Sequence, residues 1–167
     1  MTPLITRILV PTDFSAPSDL ALEYGKTLAD QFGASLHLLH VVEDPFAAGA
    51  WSSEMYVADT PQLRAGLRLE AGKRLERCLP PADRDRYHAT FEVITGSPAS
   101  AIRDVATDRH VDLIVMGTHG RAGLTHLLLG SVAEKLVRTS PCPVLTVRGD
   151  GHTAATEREV APAAVIV

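Results

Sequence analysis

The residues best placed to do chemistry in this chain are the glycines and hydroxyls of Gly117-Thr-His-Gly120-Arg-Ala-Gly123-Leu-Thr-His-Leu-Leu-Leu-Gly130-Ser131, which follow directly on the apolar run Val111-Asp-Leu-Ile-Val-Met116. A strand that ends in glycines, followed by a glycine-serine step into a helix, brings backbone N–H groups close to phosphate oxygens at the positive end of a helix dipole. At Gly117 and Gly120 a Cβ would crowd those oxygens, although either glycine alone would make no more than a strand-to-helix turn. Ser131 has two jobs open to it, capping the helix or bonding phosphate, and both satisfy the same orphan N–H groups. The spacing is neither of the better-known phosphate motifs. A P-loop needs a lysine after its last glycine, where this chain has Ser131 and Val132, and the G-x-G-x-x-G pattern fails as well.

Other chemistry is thin. There is no G-x-S-x-G elbow, no H-E-x-x-H, and no carboxylate cluster with metal-ligand spacing. His37 and His40, three apart on a strand, point to opposite faces and cannot share a metal. Cys78 and Cys142 lie far apart and form no C-x-x-C pair, so they read as reduced, packed thiols. His119 and Arg121 sit inside the glycine stretch. Arg121 either pairs with terminal phosphates or is a solvated loop arginine. If His119 contacts phosphate, binding strengthens as pH falls through its titration.

The elements that must position these residues alternate. Leu4 to Val10, Leu36 to Val42, Phe91 to Thr95, Val111 to Met116 and Val144 to Val147 read as strands. Four helices fall between them. The first carries Leu20, Ala21, Tyr24, Leu28 and Phe32 on one face and stops at Gly33. The second repeats Leu63, Leu67, Ala71, Leu75 and Leu79, with Arg64, Arg68, Lys73, Arg74 and Arg77 as a solvated outer face. A third starts at Ser97 with Pro98 at its first position and buries Ile102, Val105 and Ala106. The fourth opens at Ser131, where Ser131 and Glu134 match a capping box and Val132, Ala133, Leu136 and Val137 face the sheet. This predicts a single-domain α/β fold, Rossmann-like, with a five-stranded parallel sheet and helices on both faces. Polar residues and Pro143 make the third and fifth strands the edges, which fits the flavodoxin-like order 3-2-1-4-5. Asp13 and Gly117 then occupy the two strand ends where that order reverses, the place where such sheets bind ligands.

Together with Pro11-Thr-Asp13-Phe-Ser15 after the first strand and His40-Val41-Val42 at the end of the second, the glycine spacing resembles the universal stress protein family, in its ATP-binding branch, from about Ile8 to Arg148. The resemblance implies the same strand order and ATP as the ligand, with Mg2+ or Mn2+ carried by the phosphates. It places Gly117, Gly120, Gly130, Ser131 and Val132 along the phosphates and ribose, and puts Pro11, Thr12, Asp13 and the backbone of Val41 on the nucleoside. Main-chain groups at Val41 would read the adenine edge, and Met116 belongs to the same wall. A carboxylate at Asp13 accepts from the adenine amino group or a ribose hydroxyl, or else it is a helix cap with Ser15 as the competing cap. The resemblance also implies a homodimer paired through the last strand, Val144 to Val147.

With 167 residues, 46% hydrophobic and 22% charged, the chain is sized for one globular domain. No run approaches the roughly 20 apolar residues of a membrane span, and the first residues do not read as a signal peptide, so a cytoplasmic location is expected. A net charge of −4 argues against binding nucleic acid by broad phosphate neutralisation. Residues 1–148 form the expected domain and 149–167 a tail. The connection from Glu43 to Pro61 is long for a compact domain, and its Trp51, Met55 and Tyr56 pack over a ligand, over the second helix or against a second subunit. The expected function is an adenine-nucleotide-binding stress or signalling module. Two alternatives keep the same fold. One is a slow ATPase or adenylate-transferring hydrolase, with Asp13, His119 and Arg121 the candidates to orient water. The other is a protein-interaction domain without nucleotide.

Overall fold

The structure, a computed structural model, describes residues 4–43, 61–118 and 129–148. The expectations for Trp51, Met55 and Tyr56, for His119, Gly120 and Arg121, and for the tail from Gly149 fall outside the described residues.

In chain order the elements are β1 (Arg7–Pro11), α1 (Ala16–Phe32), β2 (Ser35–Val42), α2 (Pro61–Arg77), α3 (Pro81–Arg86), β3 (Thr90–Thr95), α4 (Pro98–Asp108), β4 (Leu113–Gly117), α5 (Ser131–Thr139) and β5 (Val144–Val147). The strands form one sheet in the order β3-β2-β1-β4-β5 with every neighbouring pair parallel, as the sequence predicts. Alternate residues of the central strands feed two cores, because helices cover both faces. Ile8, Val10, Leu36, Leu38 and Val115 pack beneath α1 and α2 with Leu75 and Leu79. Leu9, Leu39 and Ile114 pack beneath α4 and α5 with Ile102, Val105 and Leu136. Leu4 is 76% exposed, so β1 begins three residues later than the apolar run. Among the described residues no helix is long and apolar enough to cross a membrane.

Several helix details differ from expectation. The buried stripe of α1 is Ser18, Ala21, Leu22, Gly25 and Ala29. Leu20 and Phe32 are exposed, and Tyr24 and Leu28 are only partly buried. The small residues face the sheet because the helix lies close to it: a Cβ on Gly25 would stand 2.9 Å from Val10 Cγ2. Gly33 ends α1 at φ 66°, as predicted. In α2 the apolar repeat is fully buried at Leu75, near its C-terminal end, while Leu67 is 42% exposed. Arg68, Lys73, Arg74 and Arg77 are exposed, as expected of a solvated face, and two of them also make contacts. Arg68 donates to the Val93 carbonyl at 3.1 Å, and Arg74 lies over the Phe14 ring. α3 is not among the four expected helices; Pro81 stands at its first position, where proline's missing N–H costs nothing. The capping box at Ser131 does not form. Gly130 takes the N-cap position with no side-chain cap bond, and Ser131 is the first helical residue.

Candidate functional site

The sheet opens where its strand order reverses. Pairing between β1 and β4 stops at Leu9–Ile114, whereas β1 stays paired with β2 as far as Pro11–Leu39 and β4 with β5 as far as Gly117–Val147. The last residues of β1 and β4 are therefore held by their outer neighbours and not by each other. The parting falls at the strands' carboxyl ends, where open α/β sheets take ligands. On the sheet face covered by α4 and α5, the half-buried Val41 and the buried Met116 pack in the same apolar cluster as Val132.

The turn after β1 is braced by its own side chains. Thr12 N–H donates to the Leu39 carbonyl at 2.8 Å and prolongs the ladder. Thr12 Oγ1 accepts from Phe14 N–H at 2.9 Å and lies 3.0 Å from Ser18 Oγ. Asp13 Oδ1 accepts from the Ser15 N–H at 3.1 Å and from the Ser15 hydroxyl. Ser18 Oγ also accepts from Ser15 N–H, at 3.0 Å, and Ser15 is the N-cap of α1. Asp13 thus supports the helix start without being its cap. The amide of Ser15 is committed, and Pro17 in the first turn has no N–H, so the start of α1 is a poor seat for an anion.

The start of α5 differs. Its first intrahelical bond runs from Glu134 N–H to the Gly130 carbonyl at 2.8 Å, and the amides of Ser131, Val132 and Ala133 precede it. Gly130 N–H donates to the Thr118 carbonyl at 2.6 Å, and Thr118 N–H to the Val147 carbonyl at 2.9 Å. These bonds set the N-terminus of α5 beside the end of β4. Ser131 is exposed there, and Val132 packs into the core under the helix. Gly117 has a packing reason of its own: a Cβ would stand 2.9 Å from both the carbonyl carbon and Cβ of Pro17, so the end of β4 is pressed against the start of α1.

The universal stress protein family model matches residues 5–148, which include every element just described. The chain belongs to the universal stress protein family. It is 34% identical over 152 residues to universal stress protein MJ0531 of Methanocaldococcus jannaschii, covering 87% of this chain and 83% of that protein. The solved structure of MJ0577 from the same organism superposes with a TM-score of 0.73 at 28% identity, over 90% of this chain and all of that one. A universal stress protein solved in complex with cAMP shares the fold at a TM-score of 0.56 and 22% identity, over 87% of this chain and 98% of that one.

In this universal stress protein, Pro11, Thr12, Asp13, Val41, Met116, Gly117, Gly130, Ser131 and Val132 all lie at the carboxyl ends of β1, β2 and β4 or in the first turn of α5. His119, Gly120 and Arg121 of the expected site are outside the described residues. Sequence reasoning missed Ser18, which braces the turn from inside α1, and Thr118, which anchors Gly130. Hydroxyls one turn into a helix or one residue past a strand carry no motif, and only the three-dimensional contact reveals them.

His37 and His40 do face opposite sides of the sheet. His37 meets Thr90 and Glu92 at the β3 edge, and His40 meets Thr12 and Phe14. Among the described residues no group of three metal-ligating side chains converges. Cys78 and Cys142 are half-buried free thiols, and burial pushes both pKa values up, away from thiolate reactivity. An open groove of about 600 Å3 between β3 and α4 includes Glu92, Ser97, Asp104 and Arg109; it holds none of the expected site residues.

Proposed function

We propose that this universal stress protein binds ATP where β1 and β4 part, with a divalent ion held by the phosphates, and acts as a nucleotide-responsive module. The observation that carries the reading is the early parting of β1 from β4 beyond Leu9–Ile114, with the braced Asp13 turn on one side and the α5 N-terminus on the other. The orientation follows from where backbone donors remain. The α1 start has spent its Ser15 amide and carries Pro17, while α5 opens with three amides ahead of its first internal bond. The phosphates belong at α5, with Gly117, Gly120, Gly130 and Ser131 lining them and His119 and Arg121 beside them. The nucleoside belongs over Pro11, Thr12, Asp13, Val41 and Met116. The solved complex with cAMP gives one protein of this fold that holds an adenine nucleotide. The proposal extends to a homodimer formed along the outer edge of β5, whose described partner is β4 alone.

The test is the thermal midpoint of nucleotide-free protein with and without about 1 mM Mg-ATP, with GTP as control. For a micromolar constant, linkage gives about 4 kcal/mol of stabilisation, an upward shift of roughly 8–16 °C for a domain of this size. A shift with ATP and little with GTP is the expected result. No shift with either nucleotide would end the reading.

A further inference from the structure

Three side chains without an assigned place in the nucleotide site meet behind the turn that carries Asp13. His40 of β2 is 8% exposed, and its Nδ1 lies 2.8 Å from the carbonyl oxygen of Thr12. A carbonyl only accepts, so this nitrogen carries a proton and its role in the bond is fixed. The imidazole lies against the ring of Phe14, with centroids 4.3 Å apart and planes 33° from parallel. Arg74 of α2 places its guanidinium carbon 4.3 Å from the centroid of the same ring. Phe14 itself sits at φ 63°, a left-handed conformation that a residue with a Cβ adopts only where its surroundings impose it. Here they do. The Phe14 amide is bound to Thr12 Oγ1, and its side chain is covered by a cation from one element and an imidazole from another.

We propose that His40 is a positioning residue of the nucleotide site: its Nδ1–H on the Thr12 carbonyl, and the Phe14 ring held by His40 and Arg74, fix the turn that presents Asp13 to the nucleoside. The inference rests on the ATP reading above and names the supports of that site. It explains a buried histidine on the face of β2 that otherwise buries Leu36 and Leu38, and a strained phenylalanine immediately after the ligand carboxylate. It also gives Arg74 a task beyond solvation. Because Arg74 belongs to α2, seating that helix and shaping the turn are one event. A site whose supporting shell loosens loses affinity even when every contacting group is still present.

The experiment measures ATP affinity by calorimetry on the full chain, well below each protein's thermal midpoint, for wild type, His40→Asn, His40→Phe, Arg74→Gln and Ile102→Val. Asparagine places an amide donor near the position of Nδ1, whereas phenylalanine keeps a ring and removes the donor. His40→Phe is expected to weaken ATP binding about tenfold, the worth of a hydrogen bond in fixed geometry, with His40→Asn restored to within about threefold of wild type. Arg74→Gln weakens binding severalfold. Ile102→Val, a buried side chain of α4 on the other face of the sheet, lowers the midpoint and leaves affinity unchanged. Equal affinity across the His40 and Arg74 variants, with wild type binding ATP, overturns the inference and leaves the ATP reading standing. Equal loss in His40→Asn and His40→Phe also overturns it, reducing His40 to packing. If His40→Phe fails to fold, rescue in His40→Asn and loss in Arg74→Gln decide the matter. A wild-type chain that binds no ATP overturns both readings.

Discussion

His37 is 7% exposed, between Thr90 Oγ1 at 2.6 Å from Nδ1 and Glu92 Oε2 at 3.0 Å from Nε2. A carboxylate only accepts, so Nε2 carries the proton, and in the neutral ring Nδ1 accepts from the Thr90 hydroxyl. Burial pushes the His37 pKa below its ordinary value, the Arg109 charge pushes the same way, and Glu92 opposes both. The folded state therefore binds fewer protons here than the unfolded chain, and stability falls as pH drops through and below the unfolded value of 6.5. Replacing the imidazole by a group that does not titrate removes this part of the slope. His37→Gln is expected to cost about 1–2 kcal/mol near neutral pH through lost hydrogen bonds, yet to lose less further stability than wild type on acidification. Urea midpoints for both proteins on either side of the histidine range measure the difference, and parallel pH profiles would refute it. At this scale the sequence was informative about which residues and silent about what they touch. The opposite facing of His37 and His40 follows from strand alternation alone. Their partners come from β3, 53 and 55 residues away, and from the turn after β1.

The elements were legible where hydrophobic burial on both faces wrote long apolar runs, and less so where small residues do the packing. β1, β2 and β4 were found because strands covered on both sides cannot alternate with polar residues. The face of α1 was misplaced by one stripe because its large apolar residues border the contact and glycine and alanine make it. At α5 the serine drew the cap to itself, but the extended backbone, φ −70° and ψ 155°, belongs to Gly130. That shift permits a sharp test of the helix as the phosphate seat. Proline is well tolerated at the first helical position, and the residue before it must be extended, which Gly130 already is. Ser131→Pro deletes one amide donor and one hydroxyl without breaking an intrahelical bond. It is expected to change stability by no more than about 0.5 kcal/mol and to weaken ATP by roughly tenfold or more, since bonds to charged groups are worth about 1.5–3 kcal/mol. Denaturation and ATP titration of the same preparation separate the two effects; unchanged affinity would remove α5 from the phosphate site.

For the whole molecule, the order of the sheet was readable from its edges: Thr90 to Thr95 is half-polar, and Pro143 precedes β5. The parting of β1 from β4 was not readable, because register depends on how two strands far apart in sequence are each held by other neighbours. The same edges bear on assembly. In a parallel ladder, successive residues turn their backbone groups alternately to one neighbour and the other. The carbonyls of Pro143 and Val147 accept from Ile114 and Thr118, on the β4 side. Val144 and Thr146 therefore present their N–H and C=O groups to the outer edge, where a second copy would pair. Thr146→Pro removes an outward donor and leaves the β4 ladder its own bonds, at the kind of edge position where strands accept proline. If the subunits meet along β5, sedimentation equilibrium yields a dimer for the wild type and a monomer for Thr146→Pro, with the ATP-induced thermal shift kept in the variant. A wild-type monomer across a wide concentration range rules the dimer out. A Thr146→Pro dimer places the contact elsewhere on the surface. Loss of the thermal shift together with the dimer would mean that the nucleotide site depends on the β5 edge, which is two strands away from the turn that carries Asp13.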